Sequence, residues 1–151
     1  MELTKRELLV LGGGAVAALA IGLPAGVAFA DDAEVQKRIK EFAGGAKIGS
    51  GKVSLTAPEI AENGNTVPIT VDVESQMKPD NYVKSVMLLA AGNPAPGLAT
   101  FHFSPMSGQA TATTRIRLAK TQDVIAIAKM SNGDVFMDKK VVKVTIGGCG
   151  G

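Results

Sequence analysis

Residues that build metal and redox centres are scarce in this chain. Its 151 residues include one cysteine, one histidine and no tryptophan. A lone cysteine excludes an intramolecular disulfide, and one cysteine with one histidine is too small a ligand set for a structural zinc site. The sequence therefore predicts no metal site and no cofactor.

Catalytic motifs are missing as well. The chain has no P-loop and no G-x-G-x-x-G sequence after a predicted strand, and it offers no Ser-His-Asp or Cys-His set. His102 lies between Phe101 and Phe103, and strand alternation places it on the opposite face from them, which is typical of a solvated histidine. We therefore predict that the protein is not an enzyme and has no catalytic residues.

Charges of both signs are interspersed along the chain. The 16 Lys and Arg residues and 14 Asp and Glu residues give a formal net charge of +2 at pH 7. Because no basic stripe carries interleaved aromatic side chains, nucleic acid is not expected as a partner.

Residues 1–30 are predicted to be a cleaved export signal. Lys5 and Arg6 form a short basic patch ahead of a long apolar run. The run ends in Ala28-Phe29-Ala30, a small-x-small cleavage site, so that Asp31 becomes the first mature residue. The run is also long enough for a membrane anchor, but its glycines and its proline favour cleavage.

The export route is open between two pathways. Thr4-Lys5-Arg6-Glu7-Leu8-Leu9 resembles a twin-arginine export motif in which Lys5 replaces the first arginine. The alternative is general secretion. Either route leads to the periplasm of a Gram-negative cell, and no membrane contact is expected after cleavage.

The first mature segment predicts one short amphipathic helix, residues 31–43. Three apolar residues recur there at helical spacing: Val35, Ile39 and Phe42. Asp31 and Asp32 are suited to cap the start of the helix, and Gly44-Gly45 is suited to end it. The apolar face requires the helix to dock on another element.

After the helix the apolar period changes to two, which indicates β-strands. About seven strands are predicted: 52–56, 65–74, 82–90, 98–103, 110–118, 124–130 and 135–146. Pro68 places its strand at a sheet edge, or at least leaves that position without a paired amide. Asn132-Gly133 is a hairpin signal. The predicted fold is a mostly β, immunoglobulin-like antiparallel β-sandwich over residues 31–146, without the Cys…Trp…Cys hallmark.

Two predicted strands, 82–90 and 124–130, are apolar on both faces. In the first, alternation groups Val83 with Met87 and Leu89. Antiparallel sheets usually leave one face polar. The second face is covered either within the chain, by the helix or a loop, or by another protein, and the sequence leaves both possibilities open.

The lone cysteine, Cys149, lies in the last five residues, Gly147-Gly148-Cys149-Gly150-Gly151. Glycine loses the most entropy on ordering, so residues 147–151 are predicted to be a flexible arm with a reach of about 17 Å at roughly 3.4 Å per residue. The nearest charged residue is Lys143. An ordinary thiol is mostly protonated at neutral pH, so activation is left to enzymes that receive the arm.

Several stretches of the sequence share a pattern with one protein family. They are Pro58-Glu59-Ile60-Ala61-Glu62-Asn63-Gly64-Asn65 with Val67-Pro68, Asn93-Pro94-x-Pro96 leading to Ala99-Thr100-Phe101-His102-Phe103, Thr114-Arg115-Ile116-Arg117, and the terminal Gly147-Gly148-Cys149-Gly150-Gly151. Through them the whole chain resembles the SoxY family, the sulfur-carrier subunits of the periplasmic thiosulfate-oxidising (Sox) system.

The resemblance implies a function and a set of partners. It implies that Cys149 carries sulfur intermediates covalently and that the chain forms a heterodimer with SoxZ, a second small β-sandwich protein. It further implies transient contacts with three enzymes: the haem enzyme SoxAX, which joins thiosulfate to the thiol, the manganese hydrolase SoxB, which releases sulfate, and the sulfane dehydrogenase SoxCD.

Two other functions remain open from the residues alone. Gly150-Gly151 invites comparison with ubiquitin-like carriers, which bear sulfur as a terminal thiocarboxylate, although those have a β-grasp fold and need cytoplasmic ATP. The protein could also be a non-catalytic exported binding module whose cysteine forms an intermolecular disulfide.

Overall fold

The computed structural model describes residues 29–147, with side chains from Ala33 onward. Nearly all of the predicted export signal lies outside this part of the chain, so the signal, its cleavage and the periplasmic location stay predictions. Among the described residues, no helix is both long and apolar enough to cross a membrane.

The described chain folds into one α-helix and nine β-strands, with a short 3₁₀ turn, Pro105–Ser107, before the seventh strand. The elements are α1 (Phe29–Ala43), β1 (Ile48–Gly49), β2 (Val53–Thr56), β3 (Ile60–Ala61), β4 (Val67–Val73), β5 (Val83–Ala90), β6 (Gly97–His102), β7 (Ala110–Ile116), β8 (Gln122–Met130) and β9 (Val135–Val144).

The strands form two sheets that pack face to face. The larger sheet has the order β1-β9-β8-β5-β6, with β3 also paired to β9, and the smaller has the order β2-β4-β7. The pairs β1–β9 and β3–β9 are parallel, and the others are antiparallel. The mostly β sandwich predicted from the sequence is confirmed.

The strand count and the purely antiparallel pairing need correction. All the predicted strands are present, and β1 and β3 are additional. Each of these has 2 residues, which is too short for alternation to show in the sequence. Both pair with the edge of β9 that is not bonded to β8. Their segments run in the same direction as β9, so this pairing is parallel.

Apolar side chains from both sheets fill the space between them. The small sheet contributes chiefly the alternating residues of β4, and the large sheet those of β8: Val67, Ile69, Val71 and Val73, and Val124, Ala126, Ala128 and Met130. These are the residues that a period of two places on one face of each strand, so burying them fixes the register of both sheets.

The helix α1 covers the second apolar face of the two central strands. Val35 and Ile39 pack with Leu89 of β5 and with Ile125 and Ile127 of β8. β5 and β8 are therefore buried on both faces, because they lie between the small sheet and the helix. Of the two possibilities that the sequence left open, cover by the helix is the one observed.

The two ends of α1 compare differently with the prediction. The helix spans Phe29–Ala43 and includes Asp31 and Asp32, whose side chains are not among those described, so the predicted cap stays a prediction. At the other end, Gly44 has a φ of 62° and its N–H donates to the carbonyl of Lys40 at 3.0 Å. A positive φ is accessible to glycine at little cost, which is why the helix ends there.

Pro68 does not lie on an edge strand as predicted, because β4 is the central strand of the small sheet. β2 pairs with β4 only between Thr70 and Val73. Pro68 therefore lies beyond the end of β2, where β4 has a single neighbour. This geometry agrees with the alternative prediction, that the amide position of Pro68 is not paired with a neighbouring strand.

The prediction that Val83 and Leu89 lie on the same face of β5 is wrong. Val83 lies in the core between the sheets with Val86 and Leu88, whereas Leu89 faces the helix. The register of β5 against β8 shifts just after Val83. Such a bulge reverses the alternation of side chains that precede it.

The helix cover can be tested with the substitution Ile39→Ala, which removes a buried contact with β5 and β8. We expect a loss of about 2–4 kcal/mol in the free energy of unfolding, measured by urea denaturation. Lys37→Ala, on the exposed face of the same helix, should change it by less than about 0.5 kcal/mol. Equal effects of the two substitutions would show that the helix does not cover the sheet.

Candidate functional site

The strand that leads to Cys149 is anchored along its open edge. Three backbone hydrogen bonds join its end to the segment around β3: from Lys143 N–H to the carbonyl of Glu59 (2.9 Å), from Thr145 N–H to that of Ala61 (3.1 Å), and from Gly64 N–H to that of Ile146 (2.9 Å). The hydroxyl of Thr145 adds a bond to the carbonyl of Glu62 at 3.1 Å. The chain is therefore held as far as Ile146.

A second segment, the loop between β7 and β8, holds the same strand end from another side. The N–H of Val144 donates to Oγ1 of Thr121 at 2.9 Å. The N–H of Leu118 donates to the carbonyl of Gly64 at 2.8 Å. The loop, the segment after β3 and the end of β9 thus form one hydrogen-bonded unit.

A polar network fixes this loop in turn. Gln122 is only 7% exposed. Its Nε2 donates to Oδ1 of Asn93 (2.9 Å) and to the carbonyl of Lys120 (3.0 Å), and its Oε1 accepts from the N–H of Gly92 (2.6 Å). Because a buried amide without partners is costly, these bonds determine the path of the loop.

Asn93 connects the network to the loop backbone at two points. Its Oδ1 also accepts from the N–H of Ala119 (3.0 Å), and its Nδ2 donates to the carbonyl of Arg117 (2.8 Å). The position of the Ala119 peptide group therefore depends on a side chain that is distant in sequence.

Gly147 lies directly against this loop. A Cβ atom added to Gly147 would lie 2.5 Å from the backbone oxygen of Ala119, closer than real Cβ contacts come. The requirement for glycine here is steric as well as conformational, because only a residue without a side chain fits against that carbonyl. The fold thus constrains Gly147, which the sequence placed in the flexible arm.

The other predicted site residues are not described. Gly148, Cys149, Gly150 and Gly151 lie outside residues 29–147, and the mobility of the arm and the reactivity of the thiol stay predictions. The described geometry ends two residues before the cysteine and shows where its attachment point lies.

Asn93 and Gln122 are structural residues of this site that sequence reasoning missed. Asn93 was noticed only within the Asn93-Pro94-x-Pro96 stretch, and no physical role was assigned to it. Gln122 carried a usable signal, because it is a polar residue at the start of an otherwise apolar strand, and a buried amide there needs hydrogen-bond partners.

His102, the one histidine of the sequence, is the last residue of β6. His102 is exposed, whereas Phe101 and Phe103 pack against the core, as alternation predicts. Within residues 29–147, no three His, Cys, Asp or Glu side chains are grouped closely enough to hold a metal ion.

The chain matches the family model described as "Sulfur oxidation protein SoxY" over residues 39–149. The match spans most of the chain and includes Cys149. No curated protein sequence matches the chain.

Among solved structures, the sulfur carrier protein SoxY from Chlorobium limicola f thiosulfatophilum is similar, with 28% identity and a TM-score of 0.63 over 76% of this chain and 99% of that one. A superoxide reductase (neelaredoxin) from Ignicoccus hospitalis has 19% identity and a TM-score of 0.56 over 62% and 80%. A putative superoxide reductase from Thermotoga maritima has 17% identity and a TM-score of 0.54 over 64% and 93%. At these lower identities, the two reductases show a shared fold alone.

The substitution Gly147→Ala tests the steric constraint. The added methyl group must displace Ala119 or the chain at Ile146, which weakens the bond that Gly64 N–H donates. We expect hydrogen exchange at the Gly64 amide to be faster by about tenfold or more. Gly148→Ala, one residue further, should leave that amide unchanged. Unchanged exchange in the Gly147 variant would show that the contact with Ala119 is unimportant.

The substitution Asn93→Ala tests the network. It removes partners of Gln122 and of two backbone groups, so the free energy of unfolding should fall by about 1–3 kcal/mol, measured by chemical denaturation. Asn81→Ala, at an exposed turn position, is the matched control and should have a small effect. A small effect of Asn93→Ala as well would mean that water replaces the network without cost.

Proposed function

Because the chain belongs to the SoxY family of sulfur oxidation proteins, we propose that it carries sulfur intermediates covalently on Cys149 and presents them to partner enzymes. The family membership supports a carrier role in sulfur oxidation. The identity of the attached groups and the use of the terminal segment as a moving arm are the parts proposed here.

The observation that carries the proposal is the position of Cys149. The family match continues to residue 149, and backbone hydrogen bonds hold the chain as far as Ile146, whose carbonyl accepts from Gly64. In the sequence the cysteine follows this residue by three positions. A thiol in this place is suited to holding a substrate group outside the body of the protein.

The proposed cycle begins with the loading of thiosulfate. The Cys149 thiolate sulfur bonds to the outer sulfur of thiosulfate, and the two electrons released go to a haem enzyme of the SoxAX type. Water then cleaves the terminal sulfonate as sulfate at a SoxB-type manganese hydrolase, which leaves a persulfide on Cys149. A SoxCD-type dehydrogenase, where present, oxidises the remaining sulfur.

The carrier role accounts for the composition of the terminal segment. A covalent link keeps a charged intermediate from diffusing away between enzymes. Glycines on both sides of the cysteine keep the segment slim, so that it can enter several different active-site channels without side-chain clashes. The chemistry is supplied by the enzymes, and the chain itself is a substrate handle.

We further propose the setting in which the carrier works. The chain is exported to the periplasm by its amino-terminal signal, in a twin-arginine variant with Lys5-Arg6. There it forms a heterodimer with a SoxZ-like β-sandwich subunit. Folded export through the twin-arginine route would allow a bound subunit without a signal of its own to travel with it.

The two alternatives have less support. A ubiquitin-like carrier requires a β-grasp fold, whereas the described residues form two packed sheets and resemble a sulfur carrier protein of the SoxY type. A binding module linked by an intermolecular disulfide requires a covalent dimer, which a non-reducing gel would reveal.

The substitution Cys149→Ser tests the carrier role. It should abolish thiosulfate-dependent turnover in the reconstituted Sox system, because the serine hydroxyl forms no bond to sulfur under these conditions. The far-UV circular dichroism and the unfolding midpoint should be unchanged. Ser107→Ala, at an exposed position distant in sequence, is the control and should retain turnover. Turnover by the Cys149 variant would exclude Cys149 as the attachment site.

A further inference from the structure

Two Asn-Gly pairs occur in the chain, Asn63-Gly64 and Asn132-Gly133. Asn-Gly is the dipeptide most prone to deamidation, because glycine has no side chain to hinder attack by its backbone nitrogen. In that reaction the glycine nitrogen bonds to the side-chain carbonyl carbon of asparagine, the bond from this carbon to the amide nitrogen breaks, and ammonia leaves. Water then opens the resulting succinimide ring to aspartate or isoaspartate.

At both pairs a backbone N–H lies at the oxygen that gains charge in this reaction. Oδ1 of Asn63 accepts from the N–H of Asn65 at 2.9 Å, and Oδ1 of Asn132 accepts from the N–H of Asp134 at 3.0 Å. A donor in this position stabilises the negative charge that develops on the oxygen as the glycine nitrogen attacks. Both asparagines are also exposed to water. The two side chains are therefore similarly prepared for the reaction.

The attacking nitrogen is engaged differently at the two pairs. The N–H of Gly133 donates to a carbonyl of its own hairpin turn at 3.1 Å, whereas the N–H of Gly64 donates to the carbonyl of Ile146 at 2.9 Å. The carbonyl of Gly64 accepts from the N–H of Leu118 at 2.8 Å, and Gly64 is buried. Distant segments thus fix Gly64 from both sides, and its nitrogen becomes available for attack only when the end of β9 separates from it.

The main product of the reaction does not fit the present arrangement. Isoaspartate routes the main chain through the former side chain, which adds a methylene carbon to the backbone between residues 63 and 64 and leaves a free carboxylate. The new charge lies next to the exposed Glu62, and like charges repel each other. Gly64 then cannot keep its bonds to both Ile146 and Leu118 in their present geometry. The end of β9 is therefore held less well after the reaction than before it.

We propose that Asn63-Gly64 is a spontaneous modification site, at which deamidation takes place when the end of β9 opens and then hinders its closing. The bond from Gly64 to Ile146 protects the asparagine while the strand end is in place. Each opening exposes it to a change that is not reversed. The proposal goes beyond the carrier function and does not depend on it.

The protection is tested by comparing the folded protein with a synthetic peptide of residues 60–67, in which the Gly64 nitrogen has no fixed partner. Peptide mass spectrometry follows the conversion during incubation in mildly alkaline buffer, because deamidation replaces an NH₂ group by OH. We expect Asn63 to convert at least about tenfold more slowly in the folded protein than in the peptide. Equal rates in the two would overturn the proposal.

The dependence on the end of β9 is tested with Gly147→Ala, in which the bond that Gly64 donates is weakened. The conversion of Asn63 should be faster by about tenfold or more, the same factor as hydrogen exchange at the Gly64 amide, because both require the same opening. Asn132 is the internal control, and its conversion should change by less than about twofold. An unchanged rate at Asn63, or an equal rise at Asn132, would refute the proposed dependence.

The effect of the modification is tested on the incubated protein. Hydrogen exchange at the Thr145 amide, which donates to the carbonyl of Ala61 at 3.1 Å, should be faster by about tenfold or more in the deamidated fraction. Asn63→Ser is the matched control, since a serine hydroxyl can accept from the N–H of Asn65 and has no amide to lose. This variant should keep its Thr145 protection through the same incubation. Unchanged protection in the deamidated fraction would contradict the claim that the modification hinders closing.

Discussion

A steric constraint lies at the carboxyl-terminal end of the described residues, where Gly147 is close to the backbone oxygen of Ala119. A side chain at position 147 would meet that oxygen at 2.5 Å, and Gly64 holds the carbonyl of the preceding residue. In the sequence, Cys149 follows Ile146, whose carbonyl accepts this bond, by three residues.

The neighbouring strands and loops hold the end of β9 and the Ala119 carbonyl in place. β9 is paired with β8 on one side and with β1 and β3 on the other, and the loop after β7 is fixed through Asn93 and Gln122. α1 covers the outer face of the large sheet only at the end away from the arm. One sheet therefore combines a buried, stable end with an exposed end beside the attachment point of the cysteine.

The sequence was sufficient for the long strands and the helix, because alternation and helical spacing are local signals. It could not reveal β3, whose 2 residues are recognisable only through their pairing with β9. Nor could it reveal the bulge after Val83, which is a feature of the pairing between β5 and β8 and places Val83 on the face opposite to the predicted one. The steric constraint on Gly147 and the hydrogen bonds of Asn93 involve residues that are far apart in the chain. Patterns within one segment of the sequence do not predict such contacts.

The carrier function is tested most directly by the mass of the carboxyl-terminal peptide from cells grown on thiosulfate. The account predicts a population of peptides with a thiosulfate-derived group on Cys149, which a reducing agent removes. Peptides with an unmodified thiol throughout, or with sulfur on the carboxyl group of Gly151, would contradict it.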